Sequence, residues 1–205
     1  MQNFVLASGS KQRFDLLTKA GIAPIAVSPD IDETQKMSED VTEFVKRLAT
    51  EKVKAVEKIL QNDQKVDMER SVLLGADTVV FHNGSVLGKP NDAAHAKEML
   101  MALSGNSHIV YSGVAIKYRD NLVTGLSKTL VNFRIYSIEE IDSYLSLGEY
   151  VGKAGGCCIQ GNGADFVESI EGSYNNVVGL PLEVVNELFV TLNLDLLGMN
   201  FKESE

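Results

Sequence analysis

Residues 71–90 read SVLLGADTVVFHNGSVLGKP, and their pattern decides the fold. Val72, Leu73 and Leu74 form an apolar run, Gly75 and Ala76 follow, and Val79, Val80 and Phe81 resume it. A run this apolar reads as a strand covered on both faces, the pattern of a sheet in an α/β protein. Asn83-Gly84 is a hairpin signal, so the chain is expected to turn back through Ser85, Val86 and Leu87. Asp77 then places a carboxylate in the middle of a core strand. Such a charge is costly unless it meets a metal, a cation or hydrogen-bond donors. Either Asp77 bonds nearby backbone donors, as buried polar groups generally do, or it is a catalytic or metal-binding acid with Lys89 brought near it by the hairpin.

Working outward, 205 residues make one large domain or two small lobes. A hydrophobic share of 44% and a charged share of 23% are those of an ordinary soluble globular chain. No apolar run is long enough to span a bilayer. The start, MQNFVLASGSKQR, lacks a basic region ahead of a long apolar stretch, so a cytoplasmic protein is expected. The net charge of −9, from 19 basic and 28 acidic side chains, argues against broad adhesion to nucleic acid or to an acidic membrane. It leaves room for a small anionic ligand held by a local cluster of Lys and Arg. Cys157 and Cys158 are adjacent, a poor arrangement for a structural disulfide, and are read as reduced packing residues. No Cys/His spacing points to zinc. A disordered tail is expected at 202–205.

In chain order, Asn3 to Ala7 reads as a strand, Ser8-Gly9-Ser10 as a turn and Lys11 to Ala20 as a helix capped by Gly21. A strand, a small-residue turn and a helix start make a natural anion site, to which Ser8 and Ser10 add hydroxyls and Arg13 a forked cation. Taken alone, though, the turn reads first as one in which Ser8 or Ser10 is simply an N-cap. Asp30, Asp32 and Glu33 follow in a loop, either as solvated surface or as hard oxygen ligands for magnesium or manganese. Ser38 to Leu60 is the clearest helix by apolar spacing. Lys52 falls at the edge of its apolar face, where it either snorkels to solvent or points into a cleft toward phosphate. Asp92 is expected to cap a helix to Ser104. A strand is expected over 107–118 and one or two more over 122–136, and Ser137-Ile138-Glu139-Glu140 is a capping box. Another strand is expected near Phe166 to Ile170, then a polar turn over 172–176, then a helix opened by Pro181. His82, His95 and His108 share no motif and are read as structural or surface residues.

Several separated segments together resemble one family. They are LASGSKQR (6–13), IDET (31–34), LATEKVKA around Lys52, GADTVV (75–80) and LGKP (87–90). LSGNSHIVYSGV (103–114), KAGGCCIQG (153–161) and GSYNNVVGLP (172–181) complete the set. In this order, over nearly the whole chain, they resemble the Maf family of nucleoside triphosphate pyrophosphatases. The resemblance implies an α/β fold of the inosine-triphosphatase-like type over 1–205, a single Maf-type domain with a long mixed β-sheet, helices, and two lobes around a cleft. It implies cleavage of a nucleoside triphosphate between the α and β phosphates, a divalent metal (Mg2+ or Mn2+), a cytoplasmic location and a homodimer. It also implies an association with septum formation and with cleansing of the nucleotide pool.

Carried over onto this chain, the resemblance makes Asp77 the proton acceptor or a metal ligand, with Lys52 and Lys89 as catalytic lysines. It makes Glu33 a metal ligand beside Asp77, and Ser8, Ser10 and Arg13 substrate-binding residues. The family motif Ser-Pro-Arg-Arg is here Ser10-Lys11-Gln12-Arg13, so the proline and the first arginine are missing. In the branch acting on dTTP and UTP, that arginine, the threonine after the acid and the glutamine before the glycine loop go with base choice. Thr78 and Gln160 match that branch and Gln12 does not. Pyrimidine substrates are therefore expected. The alternatives are a 7-methyl-GTP pyrophosphatase, or a regulator of septation that binds nucleotide without useful hydrolysis. The intact set of Asp77, Lys52 and Lys89 argues against mere binding.

Overall fold

A computed structural model describes residues 3–61 and 67–196. The tail expected to be disordered at 202–205 lies outside the described residues. The described chain forms seven strands and six helices. These are β1 (Asn3–Leu6), α1 (Lys11–Lys19), β2 (Ile25–Ala26), α2 (Val41–Leu60), β3 (Ser71–His82), β4 (Ser85–Leu87) and α3 (Ala93–Leu103). Then come β5 (Ser107–Tyr118), β6 (Asn121–Phe133), α4 (Ile138–Ser146), β7 (Val167–Glu171), α5 (Tyr174–Val178) and α6 (Leu182–Thr191). The strands make one mixed sheet in the order β2-β1-β3-β5-β6-β7, with β4 paired to β3. This is the mixed α/β architecture that the sequence leads one to expect.

β3 is buried along almost its whole length, as an apolar run with no alternation requires. It turns at Asn83 and Gly84, whose φ angles of 47° and 79° are the left-handed pair of a tight hairpin. β4 returns antiparallel, with Phe81 opposite Val86. β1 runs parallel to β3, with Leu6 opposite Leu74, so the chain leaves β1 at Ser8 beside the point where β3 reaches Asp77.

The chain forms two compact units. One takes the residues up to Asp77, Ser112–Ser127 and the chain from Gly179 on. Its core joins Val5, Leu73 and Ala115 to Ala49, Val53 and Val56 of α2. The other takes Thr78–Tyr111 and Lys128–Val178. Its core is richer in aromatics, with Phe166 against Tyr136 and Tyr144 at 4.3 and 5.2 Å between ring centroids. Cys157 packs on this second core, and both cysteines are free thiols. Burial pushes the Cys157 thiol up to about 12.

Some expected boundaries shift, and β6 ends at Phe133, not at 136. α2 begins at Val41, not Ser38. Ser38 has a φ of 61°, which a right-handed helix cannot contain, and Asp40 takes the N-cap by accepting from Thr42 N–H. The polar stretch at 172–176 is not a turn throughout, because α5 starts at Tyr174. There Asn176 is fully buried and donates to Val110 O and Thr129 Oγ1, each at 3.0 Å. Among the described residues, no helix is long and apolar enough to cross a membrane.

Candidate active site

The position of Lys52 follows from a glycine. A Cβ on Gly75 would lie 2.4 Å from Ala49 O and 2.8 Å from Val53 Cγ2, so α2 rests directly on β3 at this point. A second close approach occurs at Gly113 of β5, where a Cβ would lie 2.3 Å from Val45 O. Gly75 and Asp77 share one face of β3, because strand side chains alternate. Lys52 stands three residues beyond Ala49 on α2, and so reaches the strand at Asp77. Its Nζ lies 2.5 Å from Asp77 Oδ1 and 2.7 Å from Glu33 Oε1. Lys52 is only 6% exposed and Asp77 7%. The snorkelling account of Lys52 is thereby set aside, and so is the account in which Asp77 serves only backbone donors.

The first turn of α1 supplies the second cation. Ser10 caps α1, and its Oγ accepts from Arg13 N–H at 3.5 Å. Ser10 N–H donates to Ser8 Oγ at 3.2 Å. Arg13 is buried; its Nε donates to Gly179 O at 2.8 Å and its Nη1 to Ser8 Oγ at 3.1 Å. Burial lowers the tendency of Arg13 to hold its proton, while the charges of Asp77 and Glu33 act in the opposite sense. Two cations, Arg13 of α1 and Lys52 of α2, thus balance two carboxylates, Asp77 midway along β3 and Glu33 in the loop after β2. Gln12 is half-buried, and its Oε1 accepts from Ser10 Oγ at 3.3 Å.

Asp77, Lys52, Glu33, Arg13, Ser8 and Ser10 are therefore brought together in the first unit. Thr78, Lys89 and Gln160 belong to the second. Thr78 follows Asp77 in β3 and is half-buried, Lys89 is exposed after β4, and Gln160 is exposed in a turn.

Two carboxylates that converge on one ammonium are also a donor set suited to a hard divalent cation. Lys52 Nζ marks a point within 2.7 Å of an oxygen from each. Among the described residues, no group of three or more His, Cys, Asp and Glu side chains is placed to hold a metal. Magnesium is commonly held by one or two carboxylates together with substrate phosphates, and Asp77 with Glu33 fit that pattern.

Sequence reasoning missed a further cluster. Arg47 of α2 forks onto Glu39, with Nε to Oε1 at 2.6 Å and Nη2 to Oε2 at 2.9 Å. It also reaches Glu51 at 3.1 Å. The spacing of Arg47 and Glu51, four residues apart on a helix, is the one signal that could have found it.

Comparison with known proteins settles the family. The family model described as Maf-like protein matches residues 3–192. This chain belongs to the Maf family. A Salmonella typhimurium relative named dTTP/UTP pyrophosphatase is 44% identical over 193 residues, which cover 94% of each chain. A Bacillus cytotoxicus relative of the same name is 43% identical over 189 residues, 92% of this chain and 95% of its own. One from Bacillus cereus, again so named, is 40% identical over 195 residues, covering 95% and 92%. As a Maf protein, the chain keeps its charged centre within the matched span.

Proposed function

We propose that this Maf protein is a nucleoside triphosphate pyrophosphatase that hydrolyses dTTP and UTP to the monophosphate and pyrophosphate. The observation that supports this reading is the buried ion pair of Asp77 and Lys52, extended to Glu33, beside Arg13 in the first turn of α1. An anhydride cleavage at phosphorus needs a proton acceptor for water and fixed positive charge for the phosphate oxygens. Asp77 serves as the acceptor, held in place by Lys52. Lys52 and Arg13 carry the fixed charge, and the hydroxyls of Ser8 and Ser10 orient the phosphate chain. The names of the relatives support the choice of dTTP and UTP.

We assign Lys89 a phosphate contact, and Thr78, Gln160 and Gln12 the recognition of the base, on the family resemblance. Glu33 and Asp77 would hold Mg2+ or Mn2+ together with the substrate. Such an ion, when bound, offsets the triphosphate charge and polarises the scissile phosphate. The proposal includes a cytoplasmic site of action, where nucleotide pools turn over, and a homodimer, which sedimentation at micromolar concentration tests. Any effect on septation follows from hydrolysis and is lost with it.

The test is pyrophosphate release from dTTP, UTP, CTP, GTP and 7-methyl-GTP with added Mg2+ or Mn2+. Turnover of dTTP and UTP is expected. A folded protein that turns over no nucleotide sinks the proposal.

A further inference from the structure

Between β2 and α2 the chain runs through residues 27–40 without helix or strand. Most of its side chains from Asp32 to Ser38 are exposed, so apolar burial does not fix its path. Yet Glu33, in the middle of this loop, presents its carboxylate within 2.7 Å of Lys52 Nζ. Something polar must hold the loop, since an untethered loop costs conformational entropy to order.

The tether is visible. Arg47 Nη2 donates to the carbonyl of Thr34, the residue after Glu33, at 3.0 Å. The same guanidinium is gripped by both oxygens of Glu39, at 2.6 and 2.9 Å. Glu39 in turn accepts from Lys36 N–H at 3.0 Å, and its own N–H donates to Lys36 O at 3.1 Å. Asp32 Oδ1 accepts from Thr34 N–H at 2.9 Å, closing a turn around Glu33. The Arg47 and Glu39 side chains are only 16% and 11% exposed, unlike an ordinary surface pair. A planar fork bonded at both prongs sets direction as well as distance, which a lysine does not. Arg47 and Lys52 lie on the same helix, so one rigid element fixes both Lys52 and the loop that brings Glu33 to it.

We infer that Arg47, clamped by Glu39, is a positioning residue that holds the backbone beside Glu33 and so sets where the Glu33 carboxylate meets Lys52. This rests on the proposed hydrolysis at the Asp77–Lys52–Glu33 centre. Arg47 does not touch substrate; it acts through Glu33.

Arg47→Met, Arg47→Lys and Glu39→Gln are compared with wild type for amide exchange, kcat, KM and the Mn2+ concentration giving half-maximal rate. Arg47→Met is expected to speed exchange at Thr34–Lys36 while exchange within α2 after Arg47 stays slow. It should also raise the Mn2+ requirement and lower kcat/KM by about tenfold to a hundredfold, the scale of a small misplacement of a reacting group. Arg47→Lys, which keeps the charge and loses the fork, should recover only part. In a Glu33→Gln background, Arg47→Met should add less than about twofold, because its route is already cut. Unchanged exchange at Thr34–Lys36, or a full additional loss in the Glu33→Gln background, overturns the inference. If Arg47→Met does not fold, Glu39→Gln decides by the same readouts. A wild type with no pyrophosphate release sinks the proposed function, and the exchange measurement still decides whether Arg47 holds the loop.

Discussion

Lys52 of α2 and Asp77 of β3 form an ion pair with Nζ 2.5 Å from Oδ1, and their side chains are only 8% and 10% exposed. Such a pair is weak support for stability as a unit, because desolvation of both charges offsets their attraction. Its components are nonetheless unequal in what they do. In the proposed reaction Asp77 is the proton acceptor, whereas Lys52 would orient Asp77 and hold phosphate. Asp77→Asn keeps the shape and removes the base. It is expected to fold, by circular dichroism, and to lose at least about a hundredfold in kcat, the usual scale for a lost acid–base group. A rate near wild type would remove Asp77 from its role.

Removing the other partner has a different cost. Lys52→Met leaves the Asp77 carboxylate buried without its ammonium, and such a break costs about 3–5 kcal/mol. Because Glu33 is 45% exposed and finds water instead, the lower figure is expected here. For a chain of this size about 3 kcal/mol lowers Tm by roughly 6–12 °C. A thermal scan that shows no shift would mean that the pair relaxes toward water in solution.

The close approach of α2 to β3 predicts a third outcome. Gly75→Ala puts a methyl group 2.4 Å from Ala49 O, a backbone atom that cannot turn away. The helix has to move, and Lys52 moves with it. A stability loss of about 1–3 kcal/mol is expected for such overpacking. The larger effect should be on turnover, through a lengthened Lys52–Asp77 contact. A Gly75→Ala protein with wild-type stability and rate would show that the helix does not rest on this strand.

These relations mark what the sequence could and could not disclose. β3 was legible because an unbroken apolar run has few alternatives, and the Asn83-Gly84 turn because Asn and Gly readily adopt the positive φ angles found there. Asp77 stood out because a carboxylate within such a run needs a partner. Lys52 was ambiguous, since the edge of an amphipathic face serves snorkelling and inward pairing alike; Gly75, which admits the helix, resolves it. The grip of Arg47 on Glu39 and on the Thr34 carbonyl was not legible, because those bonds depend on the path of a loop that no periodicity describes. α5 escaped notice because a five-residue helix held by one buried asparagine leaves almost no pattern.

A buried histidine makes stability depend on pH. His108 is 5% exposed, its ring lies 4.7 Å from that of Phe133, and its Nδ1 has no hydrogen-bond partner among the described residues. Burial, reinforced by the charge of His82, lowers its proton affinity to a pKa of about 4. An unfolded chain takes up that proton near pH 6.5. The folded pKa lies below the unfolded one, so the unfolded state binds more protons in between. The contribution is complete above about pH 6.5 and is lost as the pH falls toward 4, by up to about 3 kcal/mol. Urea unfolding at pH 7.5 and 5 should show wild type weakening more than His108→Phe, which keeps a ring and cannot titrate. Equal weakening of the two would assign the acid sensitivity to other groups.

In the proposed reaction Gln12 shares the recognition of the base with Thr78 and Gln160. It precedes Arg13, the buried cation in the first turn of α1, and its Oε1 is engaged by Ser10 Oγ at 3.3 Å. The amide therefore has its donor nitrogen to offer a base or ribose oxygen, without charge assistance. Bonds to a charged group contribute about 1.5–3 kcal/mol, against about 1 for neutral ones. A site that relies on neutral bonds at this position rejects a wrong base less strongly than one with an arginine there. Hydrolysis of dTTP and UTP is expected with broad tolerance of CTP. Gln12→Arg should sharpen the preference for dTTP and UTP over CTP, by about tenfold if the charge adds 1.4 kcal/mol of discrimination. Catalytic efficiencies on dTTP, UTP, CTP, GTP and 7-methyl-GTP for both proteins decide it. A wild-type preference for 7-methyl-GTP would overturn the pyrimidine assignment. An unchanged profile in Gln12→Arg would leave discrimination to Thr78 and Gln160.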